Sequence, residues 1–180
     1  MIIPNSHVYV VFEEVFLIQC ILILLMPSFE KEEKLICNML ESADYAVRDG
    51  KMPGDDFRFF LIPPKLEDES EEIFKLKGND VVHCAAILFL GGEMRDAFYK
   101  QSESKQEVFL NLLKNQEGVD RLDFFEIDND GQDLKIALRA EFHIQKLSED
   151  VFGDAMDRLN IAGGFLEDTI NEYFGKLLGN

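Results

Sequence analysis

The sequence predicts an α+β domain: an antiparallel sheet of about five strands packed against helices, in the order α-β-β-β-α-β-β-α. Three observations predict it. Leu134, Ile136, Leu138, Ala140 and Phe142 alternate with Lys135, Ala137, Arg139, Glu141 and His143, the period of two that marks a strand with one dry face and one wet face. Residues 27–50 and 148–178 instead carry apolar side chains at three- and four-residue steps, as a helix with one buried stripe does. Between them, short β-branched and aromatic runs are separated by turn signals. With 47% hydrophobic residues and 16 Phe among 180 residues, the chain has the apolar surface for one folded domain.

Each element follows from local pattern. Ser28 is placed to cap the first helix, with Glu30, Glu32 and Glu33 in the first turn, where the helix dipole favours negative charge. Leu35, Ile36, Met39, Leu40, Ala43 and Val47 form its stripe, and Asp49-Gly50 ends it. Pro53-Gly54-Asp55-Asp56 reads as a turn, residues 57–62 as an aromatic strand stopped by Pro63-Pro64, and residues 73–77 as the next strand. The acid-rich stretch 65–72 between them reads as a solvated loop, or more sharply as an electrostatic docking segment. Gly78-Asn79-Asp80 turns the chain into residues 81–90 (VVHCAAILFL), an almost wholly apolar central strand closed by Gly91-Gly92. Glu93-Met94-Arg95-Asp96 then reads as an exposed loop.

Ser104 is placed to cap the second helix, whose apolar face is Val108, Phe109, Leu112 and Leu113 and whose limit is Gly118. Residues 122–127 and 134–144 flank the segment from Asp128 to Asp133 as the arms of a hairpin. Ser148 caps the last helix, with apolar positions from Phe152 through Leu177. Gly163-Gly164 falls inside it, which predicts either a kink or the close approach of another backbone.

The first 26 residues differ from the rest. No Lys or Arg precedes Lys31, and residues 15–26 (VFLIQCILILLM) are interrupted only by Gln19. This run is short for a membrane span, and extending it back to residue 8 brings in Glu13 and Glu14. A secretory signal would begin with a basic region that is absent here. Three readings stand: a start site truly at Met26, a buried extra strand or helix, or a membrane anchor over residues 8–26. The domain itself is expected over residues 27–180.

Composition narrows the function. The formal net charge is −17, from 35 Asp and Glu against 18 Lys and Arg, which argues against gripping a phosphate backbone, so no nucleic-acid partner is expected. Lys outnumbers Arg, 12 to 6, unlike a salt-adapted surface. A self-repelling surface, or one suited to a basic partner, is the better reading. Cys20, Cys37 and Cys84 are odd in number and have no CxxC spacing, which fits neither a disulfide framework nor zinc. It does fit a reducing, cytoplasmic setting.

The candidate sites are few. Asp128-Asn129-Asp130-Gly131 resembles a calcium loop, but the frame puts Ala137 where a bidentate Glu is needed, and both flanks read as strands. His83 and Cys84 are adjacent on a strand and so point to opposite faces; Cys84 reads as core. His143 lies on the polar side of its strand and could meet His83 across the sheet, though two histidines make an incomplete metal site. There is no GxGxxG, GxxxxGK[ST], GxSxG, HExxH or CxxC. No catalytic residue, metal or cofactor is expected.

The order of elements, over roughly residues 27–178, resembles the type III secretion chaperone-like fold and the small archaeal and bacterial domains of unknown function that share it. The resemblance implies a compact acidic homodimer without catalytic residues. It also implies a dimer contact through the second helix, and an apolar surface on the sheet and first helix for an extended peptide. Carried over, Val108, Phe109, Leu112 and Leu113 become interface candidates, although the same stripe would serve as core. The aromatic strand holding Phe57, Phe59 and Leu61 is the candidate partner surface, and an exposed sheet edge could take a partner strand. The expected function is thus a non-enzymatic, chaperone-like protein-binding module acting as a homodimer. The alternative is a small-molecule binding protein or unrecognised enzyme using the sheet face near His83 and His143.

Overall fold

A computed structural model describes residues 29–62, 70–129 and 134–179. The expected leader, the Ser28 cap, Pro63-Pro64 and the tip of the hairpin from Asp130 to Asp133 lie outside these residues. Helix α1 (Glu30–Ser42) occupies the start of the first apolar stripe but does not reach Asp49. Asp44 adopts a left-handed φ of 61°. The Tyr45 amide donates to the Leu40 carbonyl at 3.1 Å and the Asp44 amide to Glu41 at 3.2 Å, a pattern that closes a helix by satisfying its last carbonyls. The residues beyond form β1 (Ala46–Asp49), paired antiparallel with β2 (Asp55–Ile62). Val47, expected on the helix, is therefore a strand residue.

Strand β3 (Ser70–Leu76) begins before the expected Ile73. Ser70, Glu71 and Glu72, the end of the acid-rich stretch, pair with Ile87, Ala86 and Ala85 of β4 (Val81–Leu90). After β4 the chain forms α2 (Gly92–Tyr99), where a loop was expected. Phe98 is fully buried there and holds the short helix down. Helix α3 (Glu103–Lys114) takes Ser102, not Ser104, as its N-cap residue. Gly118, at φ 86°, leads into a 3-10 turn (Val119–Arg121), then β5 (Phe124–Asn129), β6 (Leu134–His143) and α4 (Glu149–Leu178). The Ser148 side chain accepts from the Val151 amide at 3.2 Å, the predicted cap. The fold is α+β, with six strands in the order β1-β2-β3-β4-β6-β5, each antiparallel to its neighbours.

Along β6 the even-numbered residues Leu134 to Phe142 are buried, while the odd-numbered side chains are half-buried or, at His143, exposed. Helix α4 covers the inner face with Phe152, Ala155, Met156, Leu159, Ala162, Leu166, Ile170 and Phe174, all buried. From α3, Phe109 joins this core, its ring 4.4 Å from Tyr173 and 5.2 Å from Phe174. Phe98 adds a third side at 5.8 Å.

Helix α4 runs unbroken through Gly163-Gly164. A Cβ on Gly163 would meet Leu138 Cδ1 at 3.9 Å, ordinary contact, and one on Gly164 would meet nothing within 4 Å. Neither glycine is needed for close approach. Gly164→Ala is expected to stabilise the domain by about 0.5–1 kcal/mol, because Ala loses less backbone entropy in a helix. A thermal melt checks this, and an unchanged or lowered midpoint would contradict it.

Candidate functional site

The seven interface candidates separate cleanly by burial. Phe57, Phe59 and Leu61 point to the inner face of β2 and are 1%, 7% and 3% exposed. Phe109 and Leu113 are fully buried, Phe109 with its ring against Phe98 of α2 and Phe174 of α4. These five are core residues, a correction to the partner-surface reading: the alternate residues of an aromatic strand served the interior. Val108 and Leu112, one step round α3, are 64% and 43% exposed.

Those two residues line a groove of about 740 Å³ between α3 and the last turns of α4, together with Tyr173 and Leu177. The Tyr173 hydroxyl donates to Gln101 Oε1 at 2.7 Å, which ties the groove wall to the start of α3. Lys105, Glu172 and Lys176 supply the charged rim, and Lys176 Nζ bonds Glu172 Oε1 along the helix. The trough is apolar along its length and carries its charged groups at the rim. A second groove of about 750 Å³ runs between α1 and the start of α4, lined in part by Leu35, Met39, Phe152 and Met156.

The outer face of the sheet carries a chain of polar and aromatic contacts that single-strand pattern did not reveal. The Arg48 guanidinium lies over the Phe60 ring, 5.2 Å from its centroid. Arg58 lies over Phe74 at 4.2 Å, and Phe74 stacks on His83 at 4.7 Å. His83 Nδ1 is 3.0 Å from Glu141 Oε1, Glu141 pairs with Arg139 at 2.7 Å, and Arg139 covers Phe124 at 4.5 Å. Arg58 is further held by Glu72 and by Asp55, whose carboxylate is 2.7 Å from Arg58 Nε. Strand register makes this ladder: Arg48, Phe60, Glu72 and Ala85 stand across from one another on adjacent strands, as do Arg58, Phe74, His83 and Glu141.

His83 therefore faces Glu141, whereas His143 is paired in register with Val81. The expected meeting of the two histidines does not form. Burial holds the His83 imidazole below its usual pKa, with Arg139 and Arg58 acting in the same direction and Glu141 opposing. Against the acceptor-only Glu141 carboxylate, Nδ1 is the donor, and Nε2 is buried without a hydrogen-bond partner among the described residues. Cys84, on the inner face, is fully buried and its thiol is pushed up to about 12 by desolvation, so it stays protonated as core. Burial, with a contribution from Glu167, also raises the Glu71 carboxyl. Among the described residues no group of three or more His, Cys, Asp or Glu is placed to hold a metal ion. Nor is any helix of these residues long and apolar enough to cross a membrane.

No protein-family model matches the chain. Over 84 residues, 47% of its length, it is 30% identical to an alanine–tRNA ligase from Orientia tsutsugamushi (strain Ikeda). The chain spans only 9% of that enzyme's length. Among solved structures it is similar to an uncharacterized protein from Methanothermobacter thermautotrophicus, with a TM-score of 0.68 at 18% identity over 80% of this chain and 99% of the other. The likeness is one of fold. It places the α+β architecture in an archaeal protein of nearly matching extent.

Proposed function

We propose that the chain is a non-catalytic protein-binding module, chaperone-like in habit, that works as a homodimer and receives an apolar segment of a partner polypeptide in the α3–α4 groove. The observation that carries this reading is the exposure of Val108, Leu112 and Leu177 around that trough, on a scaffold whose other large apolar side chains mostly point inward. Phe109 and Leu113 support the groove from beneath without reaching its surface, so α3 presents one face to the core and another outward. The alternative is a small-molecule binding protein or unrecognised enzyme using the sheet face near His83 and His143, where His83 pairs with Glu141 and His143 lies in register with Val81.

Val108→Glu/Leu112→Glu tests the reading. Both positions are exposed, so the double variant is expected to keep its melting temperature within a few degrees. An array of overlapping amphipathic peptides, followed by fluorescence anisotropy on the peptides that bind, should show affinity weakened at least about tenfold by the two buried carboxylates. If no peptide bound, or if bound peptides were indifferent to the double variant, the groove would not be the binding site.

A further inference from the structure

We infer that the outer face of the sheet is the surface on which a second copy of this chain docks, sheet against sheet. The inference rests on the homodimer reading and names the contact within it. It starts from charge. The chain carries −17, yet the outer face is close to neutral. Register and alternation place Arg48, Arg58, Lys135 and Arg139 there together with Glu72, Glu126, Asp128 and Glu141. Asp55, buried beside Arg58 where the β2–β3 register shifts, leaves the balance within one charge of zero. The excess acid therefore lies away from this face.

Two identical acidic chains repel wherever their fields overlap, and the repulsion is least where the local charge cancels. A basic partner would be drawn to the acidic helical side. The balanced face is the place where like meets like at the smallest electrostatic cost, and that favours a second copy over a partner of opposite charge.

The residue types agree. Three of the six arginines in the chain lie on this face, each over a phenylalanine ring, and Arg with aromatic side chains is the composition enriched in interface cores. Phe89, next to Lys135 across β4 and β6, is 50% exposed. Arg58–Glu72 and Arg139–Glu141 are ion pairs within the chain, so they present their charges to a second copy already balanced.

The size is adequate. Six strands about 4.8 Å apart and roughly 25 Å long give a face of roughly 600–700 Å², near the ~800 Å² per partner of a standard stable interface. Two such faces would pack about 10 Å apart with their strands within roughly 30° of alignment.

Size-exclusion chromatography with light scattering on the full chain, at 5 to 200 µM, tests the inference; these concentrations are roughly those that bracket micromolar dimers. The wild type should run at twice the chain mass of 20.7 kDa, and its dimer should tighten as salt is raised, because screening weakens the overall repulsion. Phe89→Glu, at a half-exposed position, should weaken the dimer at least about tenfold. Lys135→Glu, which leaves the core untouched, should weaken it in the same direction while the melting temperature stays near wild type. Val108→Glu/Leu112→Glu should remain dimeric. A monomeric wild type would overturn both this inference and the homodimer reading. A dimer that survives both sheet-face variants, or one that the groove variant dissociates, would overturn the inference alone.

Discussion

Phe109→Ala is expected to lower the stability of the domain by about 3–5 kcal/mol, the cost of deleting a buried aromatic ring whose surroundings relax only in part. Phe109 is fully buried and touches the rings of Phe98, Tyr173 and Phe174, so it joins α2, α3 and the end of α4. Domains of this kind are stable by only about 5–15 kcal/mol, and the loss would remove a large share of that. Chemical denaturation read by circular dichroism would show the midpoint shift. Phe109→Leu, which keeps most of the volume, should cost under about 1.5 kcal/mol. A loss below about 1 kcal/mol for the Ala variant would show that the cluster is loose. That result would also undermine the groove, since Phe109 underlies the exposed residues Val108 and Leu112.

The second large effect belongs to Asp55. Its side chain is 2% exposed, accepts from Arg58 Nε at 2.7 Å and Nη2 at 3.3 Å, and also from the Met52 amide at 3.1 Å. Asp55→Ala leaves that amide without its acceptor and removes one of two carboxylates balancing Arg58, for an expected loss of about 2–4 kcal/mol. The Arg58 hydrogen bond holds the Asp55 carboxyl below the usual carboxylate range, despite burial acting the other way. Because the folded pKa is the lower one, its stabilising contribution is complete above the unfolded value near 4 and fades as pH falls through the folded value. Melting temperatures from pH 2 to pH 7 should show the variant furthest below wild type at neutral pH, with the gap closing in acid. A gap independent of pH would assign the loss to packing alone.

Much of the architecture was legible in the sequence because the period of an element reports its buried face. Residues 134–143 alternate without a break, and the last helix keeps its apolar spacing over eight turns, so both were readable. The errors occurred where two periods agree or where an element is short. Val47 follows Ala43 at a helical step, and nothing in residue spacing signals that Asp44 will take a left-handed turn between them. Helix α2 contributes one deeply buried side chain, Phe98, too few for any period. Burial class within a stripe was harder still. Val108 and Phe109 are neighbours in sequence, and only the position of α4 decides that one is outside and the other inside. The ladder from Arg48 to Phe124 depends on register between all six strands, contributed from distant parts of the chain. Its components were visible singly, as ordinary polar and aromatic residues on a wet face.

The strand order carries a consequence for how the domain assembles. Strands β1 to β4 form a meander of neighbours, and β5 with β6 a local hairpin, each able to pair over short loops. The two halves meet only along β4 and β6, where Val81 through Leu90 align with His143 through Leu134, so that seam is closed across two helices. Closing it costs the most chain entropy of any pairing in the sheet, and non-local contacts of this kind set folding speed. Helix α4, last in the chain, rests on both β4 and β6. A chain emerging N-terminus first would therefore hold its meander and its hairpin before it had the helix that clamps them together.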